Sequence, residues 1–303
     1  MEMIRLTFFA VCIILLSNCT VLAQGKYKNR SQQRQSQWWI GLKGGVNLTK
    51  ASPDQEFSIM SRVSGDPDLT ALKNYDNYGN FNGQFGVVFT YDSPFGLALS
   101  FQPTVQNYTF SYSYDFDWVD DTNTGNTLDI NYQHDHFLRY FELPLFIRYQ
   151  LPLGQTNVKG AIGGVAGKRE FIPYIQGGFY YSKLIDAFKT ISTTGVDNVT
   201  GNSGEIQYSE ESFGVKNQLL KGSIGWIAGV GAAYDIGNVR ISAEINYKNG
   251  LNNIASSQNR FANTDSATGY YDVFDDFTLK HIEFNLNLLF PLKFITSDSF
   301  NAL

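Results

Sequence analysis

Residues 239–248 read VRISAEINYK, a run in which apolar and polar side chains alternate without a break. Successive side chains of a β-strand point to opposite faces, so this alternation predicts a strand. One face carries Arg240, Glu244 and Lys248, whereas the other is apolar and free of charge. A strand with one charged and one uncharged face is typical of a sheet that separates a polar interior from lipid.

Seven further segments carry the same period of two. The eight predicted strands are Trp39–Leu48, Gly83–Asp92, Gly96–Tyr114, Phe137–Leu151, Ile172–Ile185, Gly222–Asp235, Asn238–Lys248 and Phe277–Leu292. Most of them have the length of a tilted membrane-spanning strand, which needs about 9–11 residues. We therefore predict an all-β protein, an eight-stranded antiparallel up-and-down transmembrane β-barrel.

The connections alternate in length along the chain. Short links fall at 92–95 and 236–237, and a middling one covers 152–171. Four long polar connections cover 49–82, 115–136, 187–221 and 249–276. Short periplasmic turns that alternate with long external loops are typical of outer-membrane barrels. We expect the four long connections to face outward.

An eight-stranded barrel is just wide enough for side chains to fill its interior, so no open channel is predicted. Charges enclosed in such a lumen must be nearly balanced, because an unpaired buried charge is costly. The predicted lumen charge network, with a structural role as mutual salt bridges, consists of Lys43, Glu142, Arg148, Arg240, Glu244, Lys248 and Glu283. An ion or proton path is the alternative use of these residues. A soluble barrel with its polar faces outward is the competing fold.

The N-terminus resembles an export signal. Arg5 precedes an apolar run over 6–16, which is too short for a transmembrane helix, and a cleavage site precedes Gln24. Lipidation at Cys19 is the alternative, although Asn18 fits poorly before a lipidated cysteine.

Processing of this signal would leave three mature parts. We predict a signal peptide over 1–23, a polar periplasmic linker over 24–37, a barrel domain over 38–294 and a C-terminal tail over 295–303. The two cysteines lie inside the signal, so a mature chain without disulfides or thiolate metal sites is expected.

Aromatic residues near strand ends fit the belts that sit at lipid headgroups, although ordinary strand propensity explains part of their number. The candidates are Trp39, Tyr91, Phe95, Tyr149, Tyr234 and Phe290.

Few residues could form a catalytic or metal-binding site. His134 and His136 would share one face of a strand and could grip a metal, but a third ligand is lacking and a solvated loop is the simpler interpretation. His281 and Glu283 could serve a hydrolase only with a serine at the outer rim. The acidic run 115–121, continuing to Gly125, faintly resembles a calcium loop. We assign no catalytic, cofactor or metal residue.

Three motifs resemble one known family in their order and spacing. Residues 140–145 (YFELPL), 173–178 (PYIQGG) and 225–251 are similar to successive strands of the PorT-like outer-membrane β-barrel family. The resemblance covers most of the mature chain and implies an eight-stranded barrel. Some members of that family are linked to type IX secretion and gliding motility.

These observations favour a non-enzymatic outer-membrane protein, a membrane anchor or scaffold for long external loops. Expected partners are outer-membrane lipid and lipopolysaccharide, and a secretion or envelope-assembly complex. The chain is mildly acidic, with a net charge of −5, so nucleic acid is not expected as a partner. We expect the barrel to be monomeric. Two alternatives remain, a lipid-A-modifying or other barrel enzyme and a narrow pore.

Overall fold

The computed structural model describes residues 36–57, 73–120, 122–123, 125–151, 170–199, 204–207, 210–236, 238–260 and 273–292. Over these ranges the protein is all-β, apart from one 3₁₀ turn at Lys216–Gln218. Within them, no helix has the length and apolar character needed to cross a membrane.

Twelve strands are present in these ranges. They are β1 (Gln37–Gln55), β2 (Asn74–Tyr75), β3 (Phe81–Asp92), β4 (Leu97–Phe101), β5 (Thr104–Val119), β6 (Thr127–Gln150), β7 (Glu170–Asp197), β8 (Gly204–Gln207), β9 (Glu211–Gly214), β10 (Gly222–Ile236), β11 (Val239–Gly250) and β12 (Asp276–Pro291).

Eight strand positions form a closed antiparallel ring, as predicted. β1 pairs with β3 on one side and with β12 on the other, from Trp39↔Pro291 to Gln55↔Asp276. β4 and β5 share one position in the ring, since Gln102 and Pro103 interrupt a single strand. Closure leaves no unpaired strand edge in the ring, which is what a lipid environment requires.

The outward face of the ring is an apolar belt. Leu286 is 64% exposed and Phe179 is 70% exposed. Large apolar side chains can be this exposed without a free-energy cost when they face lipid. We call the end with the long connections the outer end and the opposite one the periplasmic end, following the expected orientation. At the outer end the belt stops at outward-facing charged residues, which are Lys50, Arg139, Lys183 and Lys280.

One predicted belt residue is wrong. Trp39 faces the lumen and is 8% exposed, whereas its neighbour Trp38 points outward, with its ring centroid 4.9 Å from that of Tyr91. The strand begins at Gln37, so alternation assigns the outward position to Trp38.

Two predicted loops are largely strand. β6 has 24 residues and β7 has 28, far beyond the roughly 9–11 that cross a bilayer. The pairing of β5 with β6 extends as far as Trp118↔Leu128, and that of β6 with β7 as far as Leu128↔Asp197. Much of 115–136 and 187–197 is therefore a sheet that continues above the membrane.

Several predictions lie outside the described residues. They are the signal peptide 1–23 with its cysteines, the linker up to residue 35, the tail 295–303 and the link over 152–169.

Candidate functional site

The middle of the lumen holds four buried charges from four strands. Lys248 Nζ lies 2.5 Å from Glu283 Oε1 and also bonds to Glu142. Lys43 Nζ lies 4.0 Å from Glu283 Oε2 and donates to Gln102 at 3.1 Å. All four charged side chains are 0% exposed. Two cations and two anions give a layer without net charge, which limits the cost of burying them.

The next layer toward the periplasm is a second neutral pair. Arg148 Nη2 donates to Glu244 Oε1 at 2.5 Å. Tyr174 and Asn287 donate to the same carboxylate oxygen at 2.9 and 2.8 Å, and Gln176 donates to the other oxygen at 3.3 Å. A carboxylate that is both paired and hydrogen-bonded on all sides is the arrangement that makes a buried ion pair tolerable.

Arg240 lies apart from the other predicted lumen charges, at the periplasmic end. It binds Asp92 at 2.5 Å and Asp235 at 2.6 Å, and it stacks 4.0 Å from the Trp39 ring. The Trp39 indole also donates to Asp92 at 3.0 Å. Sequence reasoning left both aspartates out of the charge network, although each ends a predicted strand and alternation along β3 and β10 places each on the inner face.

His281 and Glu283 both lie inside the lumen rather than at the rim. The His281 ring stacks on Tyr108 with 3.9 Å between centroids, and its Nδ1 is 3.0 Å from the Thr49 hydroxyl. Glu283 is engaged by Lys248. The hydroxyl beside His281 is therefore a buried threonine, and this group does not have the surface position that a lipid-modifying site needs.

Above the membrane the barrel is closed by an apolar core, here called the outer cluster. It joins inward side chains of β5 and β6 to residues from the external connections. Its buried members are Ala51, Tyr108, Phe110, Tyr112, Tyr114, Leu138, Tyr140, Leu184, Ala187, Val215, Leu219, Ile254, Ala255, Phe274, Phe277 and Leu279. The cluster places aromatic and aliphatic side chains between the charged layers of the lumen and the outer end of the barrel.

His134 and His136 belong to this core and not to a solvated loop. Both side chains are 0% exposed on β6. His136 stacks on Phe110 at 4.6 Å and His134 stacks on Tyr112 at 4.8 Å. Burial lowers the pKa of both imidazoles well below the usual range, and nearby Lys189 lowers them further. Among the described residues, no group of three or more metal-ligating side chains is present.

Asp275 hydrogen-bonds to separate parts of the chain at the outer end of the barrel. Its carboxylate is 0% exposed and accepts from the backbone N–H of Phe57 at 2.8 Å, from Lys73 at 3.1 Å and from Tyr75 at 2.7 Å. The first and last external connections are thereby joined. No sequence pattern indicated this hub, since its members are about 200 residues apart.

Lys189 was also missed, because it lies in the segment 187–221 that was predicted to be a loop. A register shift between Arg139 and Tyr140 inserts one extra residue in β7 and reverses its alternation. Lys189 therefore points inward and donates to the Tyr112 hydroxyl at 3.0 Å.

The acidic run is divided between a strand and a turn. Asp115 and Asp117 lie in β5, whereas Asp120 accepts from Thr122 and Asn126 in the turn. These hydrogen bonds lower the pKa of Asp120 to about 2. Residues 121 and 124 of the calcium-like stretch lie outside the described residues.

Comparison with known families gives one match. The model of a family described as outer membrane protein beta-barrel domain matches residues 23–256. β12, which closes the ring, follows this match. No curated protein sequence matches the chain.

Solved outer-membrane barrels are similar at low identity. Neisserial surface protein A is 9% identical, with 84% of this chain and 99% of that chain covered and a TM-score of 0.30. OprG from Pseudomonas aeruginosa is 13% identical, covers 84% and 95%, and has a TM-score of 0.33. Ail of Yersinia pestis is 9% identical, covers 84% and 99%, and has a TM-score of 0.27.

Removing one partner of the Arg148–Glu244 pair should be costly. We expect Arg148→Met to lower the free energy of unfolding by about 3–5 kcal/mol, because it leaves a buried carboxylate unpaired. The double variant with Glu244→Gln should recover much of this loss. Urea unfolding in detergent micelles measures both, with outward-facing Lys183→Met as the control. Equal losses in the single and double variants would contradict the pairing.

The buried histidines should make the outer cluster sensitive to acid. The unfolded chain binds protons below about pH 6.5, whereas the folded imidazoles do not, so stability falls as the pH drops through that value. At pH 5 the expected loss is about 2 kcal/mol for each histidine.

Amide hydrogen exchange of β5 and β6 at pH 7.5 and pH 5, corrected for the intrinsic exchange rates, gives the free energy of opening and so measures this loss. The variant His134→Phe/His136→Phe should keep the stacking and flatten the pH dependence. An unchanged slope in that variant would assign the acid sensitivity to other groups.

Proposed function

We propose, from the premise that this chain belongs to the family of outer membrane protein β-barrel domains, that it is a non-enzymatic anchor. In this proposal the sealed barrel holds a rigid sheet above the outer membrane and presents it to a partner. The observation that carries the proposal is the unbroken run of β5, β6 and β7 from the membrane wall into that external sheet.

The filled lumen argues against a pore. The cavity between the ion pairs of Arg240 and Arg148 measures about 10 Å³, room for a single water. The outer cluster then adds a mainly aromatic layer above. An ion that entered from either side would meet paired side chains or apolar rings.

The position of His281 argues against an enzyme. A lipid-modifying site needs its base and nucleophile at the surface of the barrel, where lipid can reach them. His281 is 1% exposed and enclosed by Tyr108 and Thr49.

The external sheet is suited to binding. Backbone pairing from the membrane outward makes it stiffer than the loops that its sequence suggested, and a rigid platform reduces the entropy lost on association. Its charged residues are all acidic, because residues 114–132 and 190–214 contain Asp and Glu but no Lys or Arg. Their carboxylates are Asp115, Asp117, Asp120, Asp121, Asp129, Asp197, Glu205, Glu210 and Glu211. A positively charged partner surface complements such a sheet.

A secretion or envelope-assembly complex is the partner that we propose. The resemblance of residues 140–145 and 173–178 to PorT-like barrels supports this assignment, since some relatives are linked to type IX secretion. In this proposal the barrel is a single copy surrounded by outer-membrane lipid and lipopolysaccharide.

The purified protein should not conduct ions. In planar lipid bilayers we expect no discrete current steps, whereas a sixteen-stranded porin at the same density should give them, because only the wider barrel leaves an aqueous channel. Current steps from the wild type that change size in Arg148→Ala would establish a pore through the lumen.

The acidic sheet should control complex formation. Mild crosslinking of tagged protein in isolated outer membranes, followed by affinity capture and mass spectrometry, should give a stoichiometric set of envelope proteins. Asp115→Asn/Asp129→Asn should reduce their yield about fivefold, because it removes charge complementarity. The matched control is Asp54→Asn/Glu56→Gln, two exposed acids at the barrel mouth.

A barrel recovered alone, with only lipopolysaccharide bound, would contradict the anchor proposal. Equal loss in the control variant would assign the effect to overall charge rather than to the sheet.

A further inference from the structure

Two lysines lie side by side on the outer wall of the barrel. Lys50 of β1 and Lys280 of β12 are direct cross-strand partners, and both point outward. Like charges directly opposite each other destabilise a sheet. Lys50 Nζ donates to Asn77 at 2.6 Å and Lys280 Nζ donates to Ser52 at 3.2 Å, but among the described residues neither lysine has a carboxylate partner.

This lysine pair marks the outer boundary of the apolar belt. The next outward residues toward the membrane are Leu48 and Ile282, which are paired with each other. Below them all outward side chains of β1 and β12 are apolar as far as Leu42 and Leu288. The two ammonium groups therefore lie at the level of the lipid headgroups of the outer leaflet.

A groove opens in the lipid-facing wall directly below the pair, on the same two strands and on β11 and β10. Its volume is about 790 Å³. Gly44 and Ala243 are the cross-strand neighbours of Leu286, so the wall recedes on both sides of that side chain. The outward-facing apolar lining also includes Val46, Val230, Ile245 and Phe284.

We propose that this wall binds a phosphorylated lipid of the outer leaflet, of the lipid A type. A phosphate lies between the Lys50 and Lys280 ammonium groups and removes their repulsion, while an acyl chain fills the groove around Leu286. Basic residues beside an apolar membrane surface are suited to anionic headgroups. Free phosphate would satisfy only the lysines and leave the groove unexplained, so one lipid accounts for both features.

The proposal rests on the placement of the barrel in the outer membrane and is independent of the sealed lumen and the acidic sheet. A conducting barrel, or one without a protein partner, would leave this lipid site intact. Loss of lipid binding would in turn leave the anchor proposal standing.

The chain offers a matched control. Lys183 of β7 also faces outward near the end of the belt, and Lys221 lies next to its cross-strand partner Gly222. This second pair has the same charge, but neither lysine lies on β1, β11 or β12, the strands that form most of the groove lining. Lys183→Gln/Lys221→Gln therefore changes the charge equally without touching the proposed site.

Native mass spectrometry of the full chain in detergent tests the proposal. The added probes are bisphosphorylated lipid A, the same lipid with both phosphates removed, and inorganic phosphate. Lys50→Gln/Lys280→Gln should weaken binding of the phosphorylated lipid about 10–30-fold and leave binding of the dephosphorylated lipid unchanged. The control pair of substitutions should change neither by more than about twofold.

Gly44→Leu tests the groove. A Cβ at Gly44 meets no atom within 4 Å, so the variant should fold, while its side chain occupies the space of the acyl chain. Both lipids should bind about tenfold more weakly.

Three outcomes would overturn the proposal. They are unchanged lipid A binding in Lys50→Gln/Lys280→Gln, an equal loss in Lys183→Gln/Lys221→Gln, and displacement of lipid A by inorganic phosphate at equal concentration. The last outcome would identify a site for free anions. Unchanged binding of both lipids in Gly44→Leu would reject the groove as the acyl site.

Discussion

Every backbone N–H and C=O group in the hydrocarbon layer must be paired within the protein, because lipid offers no hydrogen-bonding partner. A sheet can meet this condition only by closing, and here β1 closes it against β12 over sixteen residue pairs. Closure at eight positions then fixes the interior width, which is just enough for side chains and too small for a channel. Most other features of the molecule follow from the need to fill this narrow polar space.

The interior is filled in layers, each balanced in a different way. At the periplasmic end Arg240 is held by two carboxylates and by the Trp39 ring. Arg148 with Glu244, and the two lysines with Glu142 and Glu283, form neutral groups above it. The outer cluster above them is mainly aromatic, and Lys189 donates to the Tyr112 hydroxyl within it. Within the membrane the side chains of each strand alternate, so the positions between those that build these layers form the apolar outer face.

The sequence was sufficient where a single periodicity governs a strand. In the membrane, lipid on one side and a polar lumen on the other impose a clear alternation, and both the strands and their faces could be predicted. Beyond the membrane that contrast disappears, since water lies outside and an aromatic core lies inside. The outer halves of β6 and β7 therefore looked like loops, with polar residues such as Asn131 and Thr193 in both orientations. The Asp275 hub could not be predicted either, because its contacts join segments that only the closed ring brings together.

A single inserted residue shows how the two environments are joined. The bulge opposite Arg139 and Tyr140 lies where the apolar belt ends, and it reverses the faces of β7 between Leu184 and Ala187. Below it, alternation puts Tyr180 and Ser182 inside; above it, the reversed alternation puts Lys189 and Ile191 inside. Without the bulge, Lys189 would face outward and Phe188 would replace it against Tyr112. A bulge also bends and twists its strand, yet β7 remains paired with β6 on both sides of it. Two surfaces, one facing lipid and one facing solvent, can thus be carried on one strand with separate side-chain patterns, and each can change without altering the other.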